Sequence, residues 1–140
     1  MRTNPKGKME NELSNNDSNL ITSSIDQAAL DPQMKLEQLQ RICEISIKYK
    51  FHGLCTSLNL LPFARKEIAT SSPIQIITVI GFPFGSIPSQ LKREEAEWAI
   101  DHGSDELEIV PNFFALNQGQ IDIFAEEIAE ISDLGIPVRL

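Results

Sequence analysis

Pro73-Ile74-Gln75-Ile76-Ile77-Thr78-Val79-Ile80-Gly81 is the stretch on which the fold turns. Between a proline and a glycine, every residue but Gln75 is β-branched, and such side chains are stiff at χ1 and pack well on a pleated surface. The run is almost continuously apolar instead of alternating. That is the pattern of a strand in a parallel sheet covered on both faces. Even extended to Phe84 it is too short and too interrupted to span a bilayer.

Working outward, short β-prone stretches alternate with longer amphipathic ones. Upstream, Leu20 to Ile25 reads as a weak strand ending at Asp26. Met34, Leu36, Leu39, Ile42, Cys43, Ile45, Ser46 and Tyr49 have helical spacing, with Asp31 as N-cap and Pro32 at the first helical position. Gly53 to Ser57 is a short buried strand, and Leu61 to Ala69 a second helix with Pro62 in its first turn. Downstream, a third helix runs from about Pro88 to His102, where Leu91, Glu95, Trp98 and Ala99 set one stripe over a charged face. Glu106 to Val110 is a fourth strand. Gly119 to Asp133 is a fourth helix that buries Ile121, Phe124, Ala125, Ile128 and Ile131, and Ile136 to Leu140 begins a fifth strand. Met1 to Asn19 is polar, rich in Asn and Ser and without apolar period, which predicts a flexible tail.

The order is thus strand-helix four times and then a fifth strand. Such alternation means parallel strands with right-handed crossovers, in either an open doubly wound sheet or a closed eight-fold barrel. Gly-x-Gly-x-x-Gly is absent, which removes the main support for the dinucleotide-binding open sheet. A barrel needs about 250 residues, and the 140 residues here end inside a strand. The expected fold class is α/β: the first half of a TIM (β/α)8 barrel, truncated in or just after strand 5, occupying residues 20–140.

Composition narrows the partners. Twelve Lys and Arg against twenty Asp and Glu give a formal charge of -8, which repels phosphate backbones and anionic lipid. Nucleic acid and membrane surfaces are therefore not expected. A small phosphorylated substrate is compatible, because backbone N–H groups bind anions whatever the net charge. Two cysteines, Cys43 and Cys55, give neither a disulfide framework nor metal-ligand spacing, and no signal-like start precedes them, so a reduced, cytoplasmic protein is expected. His52 and His102 stand far apart as surface residues of helix-to-strand turns, and no zinc site is expected.

In parallel α/β folds, functional side chains gather at the C-terminal ends of strands. Those ends are Asp26-Gln27, Cys55-Thr56-Ser57, the loop Gly81-Phe82-Pro83-Phe84-Gly85, and Glu108 to Asn112. An acid, a thiol with two hydroxyls, a Gly/Pro-rich loop and an acid with an amide converge on one mouth. Neither histidine lies at such an end, so no serine–histidine–acid triad can be built.

The same segments carry a family resemblance. Thr78-Val79-Ile80-Gly81-Phe82-Pro83-Phe84-Gly85, then Lys92 and Glu95-Ala96, then Gly103-Ser104-Asp105-Glu106-Leu107-Glu108-Ile109-Val110 resemble the deoxyribose-phosphate aldolases. That family shows T-V-I-G-F-P-x-G, K-x-x-E-A and G-A-D-E-[ILV]-D-[MV]-V in this order. Leu54-Cys55 and Ile25-Asp26 with Leu30 and Pro32 extend the resemblance over Leu20 to Leu140. It implies an eight-fold barrel, a place in deoxyribonucleotide catabolism, and reversible cleavage of 2-deoxyribose 5-phosphate to glyceraldehyde 3-phosphate and acetaldehyde. The family uses a lysine Schiff base without metal or cofactor, and the nucleophilic amine needs a lowered pKa to attack.

By this resemblance Glu108 takes the place of the proton-relay aspartate, one methylene longer. Asp26 takes that of a first-strand aspartate near the substrate hydroxyls, and an acid there also serves as a cap or turn residue. Cys55 lines the pocket or is a small buried hydrophobe. Phe82 walls the pocket or simply packs, and Asn112 bonds substrate or backbone. Departures are Gln27-Ala28 for the family's H-T, Asp31 for its lysine before proline, and Thr56-Ser57 after Cys55 where many relatives have V-N-P. They mark a divergent branch. The family's Schiff-base lysine lies on the sixth strand, and none of Lys6, Lys8, Lys35, Lys48, Lys50, Lys66 and Lys92 falls at the C-terminal end of an expected strand. Lys92 sits in the third helix, where a solvated surface role is the default. Other readings are a non-catalytic half-barrel that associates with itself or a partner through its open edge, and a different phosphate-handling barrel enzyme.

Overall fold

The structure, a computed structural model, describes residues 20–140; the expected tail lies outside the described residues. Five strands form one sheet in the order β1-β2-β3-β4-β5: β1 Asp26–Ala29, β2 Gly53–Thr56, β3 Gln75–Ile80, β4 Glu106–Ile109 and β5 Val138–Arg139. Every neighbouring pair is parallel, with Ala28 beside Cys55, Cys55 beside Ile77 and Ile77 beside Glu106. Between the strands run α1 Leu36–Tyr49, α2 Leu61–Glu67, α3 Ser89–Asp101, and then α4 Phe113–Asn117 with α5 Ile121–Ser132. A doubly wound sheet reverses its strand order at a switch point. Here the order never reverses, which decides for the progressive winding of a barrel.

Alternation along β3 divides the core in two. Ile76 and Ile80 join Leu54, Leu107 and Ile109 against helix residues Leu39, Cys43, Leu61, Ala64, Ala96 and Ala99. Ile77 and Val79 face the other way, with Cys55 and the half-buried Leu30. Burial on both faces is what the near-continuous apolar run requires, and five of the six residues of β3 are buried.

The sheet is strongly curved. Flat, the first and fifth strands would lie about 19 Å apart at ~4.8 Å per step, beyond the joint reach of an arginine and an aspartate. Yet Arg139 of β5 places Nη1 2.5 Å from Asp26 Oδ2 on β1, and Nη2 2.5 Å from Glu106 Oε2 on β4. The concave side therefore closes to barrel-like curvature within these residues.

Several boundaries differ from expectation. Residues 20–22 are helical, and the first strand starts at Asp26 instead of ending there. The reason is pairing: Asp26 is in register with Gly53, the first residue of β2. Asp31 does not cap α1. Its carboxylate accepts the Gln33 N–H at 2.9 Å in a local turn, and the extended Lys35 precedes the helix, with its N–H bonded to the Gln38 side chain at 2.8 Å. The short α4 was not anticipated. On α5 only Ile131 of the expected apolar face is buried; the helix meets the rest of the chain along Glu127 and Ile131, leaving Ile121 and Ala125 exposed. Among the described residues no helix is long and apolar enough to cross a membrane.

Candidate functional site

β3 leaves the sheet through loop 81–85, which is pinned at both ends. Gly81 adopts φ +68° and donates its N–H to Glu95 Oε2 of α3 at 2.8 Å. Gly85, at φ +66°, donates to the Gly81 carbonyl at 2.7 Å, and a Cβ there would lie 2.2 Å from the Pro111 carbonyl oxygen at the exit of β4. Both glycines are thus required by backbone conformation and close approach. The pinned loop holds Phe82 at the strand ends, where it lines two adjoining clefts with Ser57 and Asn59. One, of about 200 Å³, also touches Val79 and Glu95; the other, of about 400 Å³, touches Leu30, Asp31, Pro32 and Pro83.

Deeper on the concave side, the Cys55 thiol donates to Glu108 Oε2 at 3.7 Å. Burial, reinforced by the Glu108 carboxylate beside it, pushes the Cys55 thiol up from 9.0 to about 12. It therefore stays protonated and serves as a donor, not as a thiolate nucleophile. Cys43, packed between helix and sheet, is likewise raised to about 11, mainly by burial.

Asp26 lies at the start of its strand, away from the C-terminal end expected for it. There it belongs to a polar network that the sequence reading missed. His52 Nδ1 is 2.8 Å from Asp26 Oδ1, His52 Nε2 is 3.5 Å from Glu106 Oε1, and Arg139 bridges both carboxylates. Burial opposes the charge on Arg139, but the hydrogen bonds and charges of Asp26 and Glu106 outweigh it and raise its pKa. Four residues from four chain segments meet here, so no local spacing announces the cluster. His52, expected at the surface, is 35% exposed at the side chain and is in addition tied into this network. Asp26 still borders the concave side: its carboxylate raises, and Arg139 lowers, the Cys55 pKa.

Asn112 caps α4, its Oδ1 accepting the Ala115 N–H at 3.0 Å. Of its two possible uses, backbone bonding is the one observed. Lys92 is not a solvated surface residue: it is fully buried, and its ammonium bonds the equally buried Glu127 of α5. A usable signal existed, since Lys92, Ala96 and Ala99 stand at i, i+4 and i+7 on the buried side of α3. None of the described lysines lies on a strand.

No family model matches the sequence. The deoxyribose-phosphate aldolase of Methanocella arvoryzae is 34% identical over 112 residues, covering 79% of this chain and 50% of that protein. The chain is a relative of the deoxyribose-phosphate aldolases. A second aldolase of that name, from Mesomycoplasma hyopneumoniae, is 36% identical over 107 residues, covering 76% of this chain and 48% of its own. The solved structure of the tetrameric deoxyribose phosphate aldolase from Aeropyrum pernix superposes with a TM-score of 0.72 at 25% identity, over 86% of this chain and 51% of that one. The aldolase relative spans about half the length of the curated proteins it matches, their N-terminal half. Its parallel sheet with alternating helices is the corresponding part of their (β/α) barrel.

Proposed function

We propose that the aldolase relative supplies the front half of a deoxyribose-phosphate aldolase site, with Glu108 as its proton relay and a lysine from outside these 140 residues as nucleophile. The neutral amine adds to the aldehyde carbon of open-chain 2-deoxyribose 5-phosphate and, with loss of water, gives a protonated imine. That imine draws in the electron pair of the C2–C3 bond as the C3 hydroxyl gives up its proton; glyceraldehyde 3-phosphate leaves, and an enamine remains. Protonation of the enamine and hydrolysis of the imine release acetaldehyde. Glu108 carries the proton between these steps. The observation that supports this assignment is the Glu108 carboxylate at a strand end, held by a thiol that remains protonated.

Position supports the remaining roles in this reading. Phe82 walls the mouth, Cys55 orients Glu108, and Asp26 sits beneath both, held by His52 and Arg139. Asn112, its oxygen taken by the helix cap, has its amide N–H groups left for substrate. No metal or cofactor is needed for these steps.

The test is borohydride trapping with acetaldehyde, on the 140-residue chain alone and after co-expression with the C-terminal half of the Methanocella aldolase. The expected adduct forms only in the pair, on the supplied half. Glu108→Gln then lowers turnover by about 100-fold or more while the adduct still forms. An adduct on the 140-residue chain alone refutes the division of labour. A soluble assembly of the chain that neither accepts the second half nor supports trapping replaces the enzyme reading with that of a non-catalytic interaction protein.

A further inference from the structure

A cleft of about 490 Å³ lies between the connection from β2 to α2 and helix α3, walled by Leu58, Ile87, Leu91, Glu94, Glu95 and Trp98; through Leu58, Asn59 and Glu95 it adjoins the smaller cleft beside Phe82. The buried stripe of α3 runs through Lys92, Ala96 and Ala99. Leu91 and Trp98, which the sequence pattern assigns to the core, are consequently 45% and 39% exposed and turned to this cleft.

Two carboxylates share it. Glu94 Oε1 accepts the Gln90 amide at 3.2 Å, and Glu95 Oε2 accepts the Gly81 N–H at 2.8 Å. Among the described residues neither forms an ion pair. No basic side chain lines the cleft, and the cations of the same helix are engaged elsewhere: Lys92 by Glu127, Arg93 by Glu97 and the Glu130 carbonyl. The Trp98 ring is held by His102 stacked on one face, with centroids 3.6 Å apart, so the other face is the one left for a ligand.

These features select the occupant. An anion meets two like charges. A neutral apolar molecule strips water from two carboxylates and returns no partner. A cation with an apolar body satisfies both the walls and the charges, and a tryptophan face adds cation–π attraction. The volume lies within the ~300–1,000 Å³ range of small-molecule pockets. We propose that this cleft is a binding site for a small organic ammonium ion, its nitrogen between Glu94 and Glu95 and its apolar body against Leu58, Ile87 and Leu91. The ligand class is opposite in charge to the phosphorylated substrate of the aldolase reading, although Glu95 lines both this cleft and the smaller one beside Phe82.

Trp98 is the one tryptophan in the sequence, and its fluorescence reports the site directly. The experiment titrates the full 140-residue chain with phenethylammonium, and in parallel with 2-phenylethanol, a neutral molecule of similar shape. A saturable change with the amine is expected, none with the alcohol, and a Kd weakened about fivefold in Glu94→Gln, as one exposed ion pair supplies. Far-UV circular dichroism confirms that the variant keeps its secondary structure. No saturable change in a folded chain, an equal response to the alcohol, or an unaltered Kd in Glu94→Gln each overturns the proposal. Binding needs no catalytic turnover, so its outcome is independent of the aldolase test.

Discussion

Replacing Lys92 with methionine tests the packing of α3 against α5 most sharply. Lys92 and Glu127 are 0% and 1% exposed at the side chain, and Glu127 Oε2 already lacks a partner. Methionine keeps the apolar stem, which runs beneath Gly81 with Cε 2.9 Å from where a Cβ on that glycine would sit. It removes the ammonium and strands a buried carboxylate, a change that costs about 3–5 kcal/mol. Set against the ~5–15 kcal/mol total stability of a domain, this is a large loss. The double variant K92M/E127M removes both charges together with the desolvation cost of burying them. It should be near neutral or more stable than the parent by roughly 1–4 kcal/mol. The two single losses and the double thus define a cycle with a coupling of at least about 3 kcal/mol, in which the second substitution rescues the first. Urea unfolding followed by circular dichroism measures each corner. Single losses below about 1 kcal/mol that simply add in the double variant would mean the pair is solvated, and the reasoning from burial would fail.

Three further outcomes follow from named contacts. Gly85→Ala should lower the melting temperature far more than Gly119→Ala: both glycines have positive φ, but only at Gly85 would the new Cβ meet a backbone oxygen, at 2.2 Å, whereas Gly119 has nothing within 4 Å. Equal losses would show that loop 81–85 is not jammed against β4. Both thiols have raised pKa values in the folded chain, so the unfolded chain ionises first and stability falls as pH rises from about 9 toward 12. Cys55→Ser should flatten that fall, and iodoacetamide at pH 8 should label the folded chain far more slowly than the urea-unfolded one. Arg139→Met cuts the link from β5 to Asp26 and Glu106 and leaves two neighbouring carboxylates to repel. Thermal melts should show a loss that shrinks when Asp26→Asn is added to Arg139→Met; a loss unchanged by that second substitution would point to packing alone.

The frame of the fold was legible wherever one face or both faces of an element are buried throughout. Ile76 to Ile80 announced β3, and the positions of Cys55 and Glu108 at the ends of β2 and β4 followed from strand order alone. Errors arose where short-range patterns compete with pairing. Asp31-Pro32 looks like a helix start, yet the local turn takes the aspartate and moves the helix to Leu36. Leu20 and Ile21 look β-prone, but register with Gly53 fixes the strand at Asp26 and puts that acid at the opposite end from the mouth. On α3 the stripe was misjudged by one position because Lys92 was counted as polar, although a buried acid on α5 neutralises it. The network of Asp26, His52, Glu106 and Arg139 was not legible, since residues far apart along the chain meet only after the sheet curves.

The arginine fork of Arg139 is shared by acids from two different strands while His52 leans on the same pair. A change at one of these positions therefore alters the charge balance at the other three. Evolutionary drift at this end of the sheet is thus a matter for the quartet, not for individuals. In related sequences that lose the arginine, Asp26 or Glu106 should be replaced in the same lineage by a neutral or basic residue.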